Sequence, residues 1–238
     1  QLKTAANQTA KTKTEESRDT DVIVVGSGIT GMSAALSAKE AGADVVVIEK
    51  QAVTGGTTAI AGGYLISIDS KLYDDTDFDD SLDTFRKYWD ERMSYSGQQS
   101  GYPDETRWEE IVSKTGETVD WLQEKGVTWE VFTGFGPYPT AHNPLGVRGL
   151  IDEMVKIAEN QGIEVITECK GEKLVIDDQG AVVGVVAETA DKVITFNASS
   201  VVLATGGISA NGEMVKQYSP KVAQAQTISV AAAGSTGD

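Results

Sequence analysis

The 238-residue sequence predicts an α/β fold from three features. Residues 21–50 run strand, glycine turn, helix, strand and acid in that order; the middle of the chain carries amphipathic helical patterns; and from Ile163 the pattern becomes β. Val22 to Val25 form an unbroken apolar run rich in β-branched residues, as a strand covered on both faces should. Gly26, Gly28 and Gly31 follow as GxGxxG. In that order the first glycine permits a tight turn, the second lets backbone approach a pyrophosphate, and the third lets the helix pack closely on the strand. Phosphates would sit at the helix N-terminus, where unpaired N–H groups and the dipole favour negative charge. A second apolar run, Val45 to Ile48, ends in Glu49, which lies 49 − 28 = 21 residues after the middle glycine and suits hydrogen bonding to a ribose diol. The segment therefore predicts a bound adenine dinucleotide.

Which dinucleotide is decided just downstream. Glu49 leads into KQAVTGGTTAIAGGY, whose four glycines (Gly55, Gly56, Gly62, Gly63) are too many for a regular element. A nicotinamide enzyme normally enters a helix at this point; a second glycine-rich loop suits backbone amides and small hydroxyls laid along a ribityl chain and a flavin edge. EKQAVTGGTTAIAGG resembles the corresponding loop of the fumarate reductase and succinate dehydrogenase flavoprotein superfamily, and most resembles the soluble, flavocytochrome c-like fumarate reductases and their relatives acting on urocanate, methacrylate or 3-ketosteroids. SSVVLATGGISAN (199–211) is similar to the family's second flavin signature, and STGD (235–238) to its TGDG turn. The resemblance runs from about residue 20 to residue 238. It implies a Rossmann-like FAD-binding domain over residues 21–238, with a central parallel sheet, helices on both faces and an inserted antiparallel β-meander. It also implies FAD contacts from Gly26, Ser27, Gly28, Ile29, Thr30 and Gly31; from Glu49 and Lys50; from Gly55, Gly56, Thr57, Thr58, Ala61, Gly62 and Gly63; from Gly171 and Glu172 through backbone to adenine; from Ala204, Thr205 and Gly206; and from Asp238.

Composition narrows the partners. A formal net charge of −16 argues against nucleic acid and anionic membranes, both of which need basic patches, and opposes anionic substrates at long range. With Cys169 and His142 the single residues of their types, an internal disulfide, a multi-thiolate site and a multi-histidine metal site are excluded. No apolar run approaches the roughly 18 residues of a membrane span.

Residues 1–20, with four bases against three acids and no apolar periodicity, read as a solvated arm or as a tether to an electron-delivering heme or flavin mononucleotide domain of the kind relatives carry. Asp79 or Asp80 could cap a helix from Ser81 to Met93, with Leu82, Phe85 and Trp89 on one face; the acidic run lacks the glycine and terminal Glu of a calcium loop. One further helix is expected from Asp104 to Lys125, with Trp108, Ile111, Val112, Val119 and Leu122 on its core face and Gly126 stopping it. Another starts near Val147, with Leu150, Ile151, Met154, Val155 and Ile157 at helical spacing.

AHNPLG places His142, Asn143 and Pro144 where the family often has a His-Arg-Pro-like tripeptide, so the arginine is missing. His142 is a candidate acid, but nothing in the sequence puts a carboxylate beside it. Beyond it, IEVITE, KLVID, AVVGVVAET and DKVITFNAS alternate as strands, and DDQG (177–180) marks a hairpin with Gly180 at positive φ. The resemblance implies hydride transfer from the flavin ring to the C=C bond of an unsaturated acid; the alternatives are a urocanate reductase-like or 3-ketosteroid dehydrogenase-like relative, the latter running the chemistry the other way, or a non-catalytic FAD-binding module. It places the carboxylate-clamping His and Arg groups and the proton-donating Arg in a capping domain that follows TGDG, so no catalytic residue is expected within this sequence.

Overall fold

The computed structural model describes residues 13–95, 105–134, 138–146, 148–225 and 230–238. Two compact units emerge, one of residues 1–57 with 158–238, the other of residues 58–157.

The first strand, β1, spans Thr14–Val25 and corrects the expectation of an arm extending to residue 20. It pairs in parallel with a later strand from Thr14↔Lys192 through to Val25↔Leu203. The sequence pattern hid this half of β1 because its half-buried residues are polar. Glu16, Arg18 and Thr20 alternate with exposed neighbours; Lys192 pairs with Glu16 at 2.8 Å, and the Arg18 guanidinium binds Glu164 and lies 5.4 Å over the Phe196 ring. Helix α1, Ile29–Glu40, buries Gly31, Met32, Ala35 and Leu36. A Cβ on Gly31 would meet the Gly26 carbonyl oxygen at 1.9 Å, so the helix seats on the turn only without a side chain there. All four residues of β2, Val45–Ile48, are buried.

The second unit opens with β3, Tyr64–Leu65, and then α2, Leu82–Tyr95. The helix cap is Ser81 rather than either aspartate: its hydroxyl accepts from the Thr84 amide at 3.3 Å. Asp79 instead accepts from the Thr84 hydroxyl at 2.6 Å and the Ser81 amide at 3.2 Å, and these bonds hold its carboxyl below its ordinary pKa. The single helix expected next is two, α3 (Glu105–Val112) and α4 (Thr115–Lys125); its predicted start, Asp104, lies outside the described residues. The break lets α4 approach the Ile68 carbonyl, which a Cβ on Gly116 would meet at 2.0 Å, while the Thr115 hydroxyl takes up the Val112 carbonyl at 2.7 Å. Facing Trp108 and Val112 toward the aromatic cluster turns Ile111 outward, leaving it 61% exposed; Val119 and Leu122 are buried as expected. Gly126 closes α4 at φ +110.

That cluster centres on buried Phe85, stacked on Trp108 at 6.0 Å and edge-on to Tyr138 at 4.9 Å. Strands β4 (Glu130–Phe132) and β5 (Thr140–His142) complete a small antiparallel sheet of order β3-β5-β4. Helix α5, Gly149–Asn160, buries Leu150, Ile151 and Met154; Val147 lies outside the described residues.

Back in the first unit, β6 (Glu164–Ile166), β7 (Lys170–Ile176), β8 (Val182–Glu188) and β9 (Lys192–Leu203) follow. The Asp177 carboxylate closes the β7–β8 turn by accepting the Gln179 and Ala181 amides at 2.8 Å each, with Gly180 at φ +85. The DKVITFNAS strand does not stop at Ser199 but runs on into the flavin-signature segment as far as Leu203. Residues 193–197 of β9 pair antiparallel with β8 and parallel with β1, so the meander continues the sheet, whose order is β6-β2-β1-β9-β8-β7. Ile23, Val25, Val46 and Ile48 form one buried cluster with Val185, Ala187, Ile194 and Phe196, so meander side chains close one face of the parallel strands. Helices α6 (Gly212–Tyr218) and α7 (Pro220–Gln224) follow, α6 capped by Asn211. No helix among the described residues is long and apolar enough to cross a membrane.

Cys169 lies in this cluster at 0% exposure, and burial pushes its thiol up to about 11. Since the thiolate is the reactive form, the folded chain should stay unmodified by a disulfide reagent at pH 8 over a period in which urea-unfolded chain reacts fully. Equal rates would show that the start of β7 opens freely.

Candidate dinucleotide-binding site

Parallel register fixes the site. Val25 is level with Ile48 on one side and Leu203 on the other, so Gly26, Glu49 and Ala204 leave the sheet side by side. The Gly26 amide donates to the Ile48 carbonyl, the Ala204 amide to the Val25 carbonyl and the Glu49 amide to the Ile166 carbonyl, each at 2.8 Å. This carboxyl edge is where ligands collect in open α/β sheets. Gly26 takes φ +107, and a Cβ there would meet the Ala204 carbonyl oxygen at 2.3 Å. Gly28 differs: φ −69, ψ 179 is open to any residue, so what glycine supplies there is the missing side chain. It precedes α1, whose start carries no side-chain cap and no acid in its first turn, with Thr30 exposed. Such an end favours an anion.

Glu49 is nearly buried, at 7% exposure, and tightly held. Its Oε2 accepts from the Ser27 amide at 3.1 Å and the Ser27 hydroxyl at 2.6 Å, and its Oε1 accepts from the Gln51 amide at 2.9 Å. The Ser27 hydroxyl accepts in turn from the Gly55 amide at 3.1 Å. One carboxylate and one hydroxyl thus tie the first glycine turn to the start of the second.

A second polar knot gathers three of the expected residues with partners the sequence reading missed. Asp238 accepts from Lys50 Nζ at 2.6 Å, from the Thr236 hydroxyl, and from Lys170 Nζ at 3.1 Å; these bonds, Lys50's foremost, hold its carboxyl well below the usual carboxylate range. Lys170 also pairs with Glu172 at 3.2 Å. Glu172 sits at a register shift of β7 between Gly171 and Lys173, a bulge that re-aims the strand. Gly171 itself is packed, its Cβ position 3.0 Å from Val25 Cγ1. Thr205 and Gly206 are exposed, Gly206 at φ +78. Thr57 accepts from the Ala232 amide at 3.3 Å and lies 3.4 Å from the Ser235 hydroxyl. Lys170, Ser235 and Thr236 belong to no spacing rule; only STGD pointed near them.

In the second unit the glycine loop continues. Like Gly55 and Gly56, Gly62 and Gly63 have positive φ, and the Gly63 carbonyl accepts from the Asn143 amide at 2.9 Å, while the Ala61 amide donates to the Thr58 carbonyl at 3.1 Å. His142 does have a carboxylate beside it: Glu130, its cross-strand neighbour, lies 2.8 Å from Nδ1, and Tyr64 stacks on the ring at 4.2 Å. Strand pairing, invisible in the sequence, makes that pair. Asn143, where the family often has arginine, is fully buried and bonded to Thr128, Glu153 and the Leu145 amide. Arg18, Arg86 and Arg148 each pair with a carboxylate, respectively Glu164, Glu109 and Asp152.

The family model described as FAD binding domain matches residues 21–238. The chain belongs to this family. A urocanate reductase from Eggerthella lenta is 33% identical over 92% of this chain and 37% of its own length. A cytochrome fumarate reductase from Shewanella frigidimarina is 30% identical over 85% of this chain and 36% of its own. Among solved structures, an open flavocytochrome c3 fumarate reductase matches 93% of this chain and 39% of its own at TM-score 0.77 and 29% identity. A 3-ketosteroid-Δ4-(5α)-dehydrogenase from Rhodococcus jostii, in complex with 4-androstene-3,17-dione, matches 98% of this chain and 54% of its own at TM-score 0.75 and 25% identity. The chain therefore spans under two fifths of the length of these two curated relatives. The cofactor of this FAD-binding domain is FAD, and an uncapped helix start beside a side-chain-free Gly28 fits its pyrophosphate.

Glu49→Ala should weaken FAD binding by about 1.5–3 kcal/mol, the contribution of a charge-assisted acceptor. Titration by quenching of flavin fluorescence measures it, and equal affinities would place the ribose elsewhere. Gly28→Val should cost more, because its side chain fills the pyrophosphate's approach.

Proposed function

We propose that this chain is the FAD-holding part of a flavin-dependent oxidoreductase that reduces the C=C bond of an unsaturated carboxylic acid. The observation that carries the reading is the match across nine tenths of the chain to a protein named for urocanate reduction, supported by one named for fumarate. Bound FAD supplies the two-electron chemistry. The chain's own residues hold and orient it: Gly26–Gly31 and the α1 start take the pyrophosphate, Glu49 the adenosine ribose, the backbone at Gly171 and Glu172 the adenine. Within the first unit, Lys50, Gly55–Thr57, Ala204–Gly206 and Asp238 take the ribityl and flavin portion. An electron-donor domain or protein of heme or flavin mononucleotide type is the fitting partner.

Substrate clamping is the step these residues do not perform. A carboxylate substrate needs paired cations, and the net charge of −16 repels it at range. Arg18, Arg86 and Arg148 pair with acids and Arg92 lies over the Tyr88 ring, which supports a reading in which the clamp and the proton donor come from another segment. The likeness to the ketosteroid dehydrogenase favours a second reading, in which the same cradle serves oxidation of a steroid in an apolar pocket.

Purified chain should release FAD, and no NAD, on denaturation. With FAD added, the 238-residue chain should give no fumarate-dependent oxidation of reduced viologen above the free-flavin background. The complete gene product containing it should turn over an unsaturated carboxylate in the same assay; dye reduction driven by a 3-ketosteroid instead would establish the second reading, and neither activity would overturn both.

A further inference from the structure

We infer that Ser27 fixes Glu49 so that its carboxylate receives one hydroxyl of the adenosine ribose and not both. The inference rests on the FAD reading and deepens it. A carboxylate offers about four acceptor positions, two on each oxygen. Both positions on Oε2 are taken from within the chain, by the Ser27 amide at 3.1 Å and the Ser27 hydroxyl at 2.6 Å. On Oε1 the Gln51 amide takes one at 2.9 Å, which leaves one. A vicinal diol that would ordinarily span the two oxygens therefore meets a single open acceptor.

Ser27 cannot easily release the second. Its one hydroxyl proton is given to Glu49, while its oxygen accepts the Gly55 amide at 3.1 Å. Ser27 is 0% exposed and Gly55 is also buried, so rotating the hydroxyl away strands polar groups where no water replaces the lost bonds. Ser27 is thus a positioning residue: it acts on the ribose through Glu49, and the same hydroxyl sets the start of the second glycine loop.

The test is the affinity of the full chain for FAD and for two FAD analogues, one lacking the adenosine 2′-hydroxyl and the other the 3′-hydroxyl. One analogue should bind about tenfold or more weakly than FAD, the loss expected for one hydrogen bond to a charged acceptor, and the other about as well as FAD. In Ser27→Ala, Oε2 regains an open position and the two losses should converge. Ser27→Cys keeps most of the bulk with a far weaker donor and should do the same. A merely structural role for Ser27 lowers all three affinities together and leaves the ratio between analogues unchanged, which would overturn the inference, as would equal losses in the parent chain. If the parent fails to bind FAD at all, the FAD reading falls and takes the inference with it.

Discussion

The parallel register of β2, β1 and β9 is the constraint from which the rest of the first unit follows. Because Ile48, Val25 and Leu203 are level, three loops from distant parts of the sequence start on adjacent strands, each one strand spacing from the next. Slipping any of these strands by one residue would turn its core-facing side chains outward and separate the loops at once. The register is set by packing. Ile23, Val25, Val46 and Ile48 face Phe196, Ile194 and Val185 in one buried cluster, and removal of a buried phenylalanine costs about 3–5 kcal/mol in such cores. The same strand, β9, supplies both the cover for that face and the third loop. A change in the meander core is therefore transmitted directly to the cofactor edge.

Electrostatics at that edge runs against the protein as a whole. The chain carries 36 acids and 20 bases, yet α1 begins without an acid in its first turn, and Glu49 and Asp238 are both engaged by donors. Each acid there has a stated partner: Ser27 and Gln51 for Glu49, Lys50 and Lys170 for Asp238. A buried carboxylate without such donors would be costly or would neutralise. With them it becomes a fixed, oriented acceptor in an otherwise repulsive field, while the α1 start carries neither a side-chain cap nor an acid in its first turn.

The second unit is organised by aromatics. Phe85, Trp108 and Tyr138 form its core, and the Tyr138 hydroxyl donates to the Asp80 carbonyl at 2.7 Å while the Asp80 carboxylate accepts from the Ser70 amide at 3.0 Å, so the acidic segment before α2 is pinned through both its backbone and its carboxylates. The small sheet holds Tyr64, His142 and Glu130 together by stacking and cross-strand pairing. Asn143 occupies its buried position as a structural bracket between β5 and α5, and a Cβ on Gly149 would meet its Oδ1 at 2.1 Å.

Local patterns determined a good part of this protein. GxGxxG followed by a buried run and Glu49 specified the nucleotide turn, the helix and the acid, because each of those roles is filled within about thirty residues by backbone conformation and hydrophobic period. Gly126 and Gly180 were legible for the same reason, since a positive φ is a local demand. What tertiary structure decided is whatever depends on partners far apart in the chain. Residues 14–20 read as an arm because their alternation is polar, and only the pairing with β9 makes them a strand. The helix from 105 breaks because Gly116 must meet the Ile68 carbonyl, a contact no helical period encodes. Glu130 reaches His142, and Lys170 reaches Asp238, through strand register and a bulge. The sequence names the residue types a dinucleotide needs; long-range pairing decides which hydrogen bonds those residues have already made, and so how many remain for the ligand.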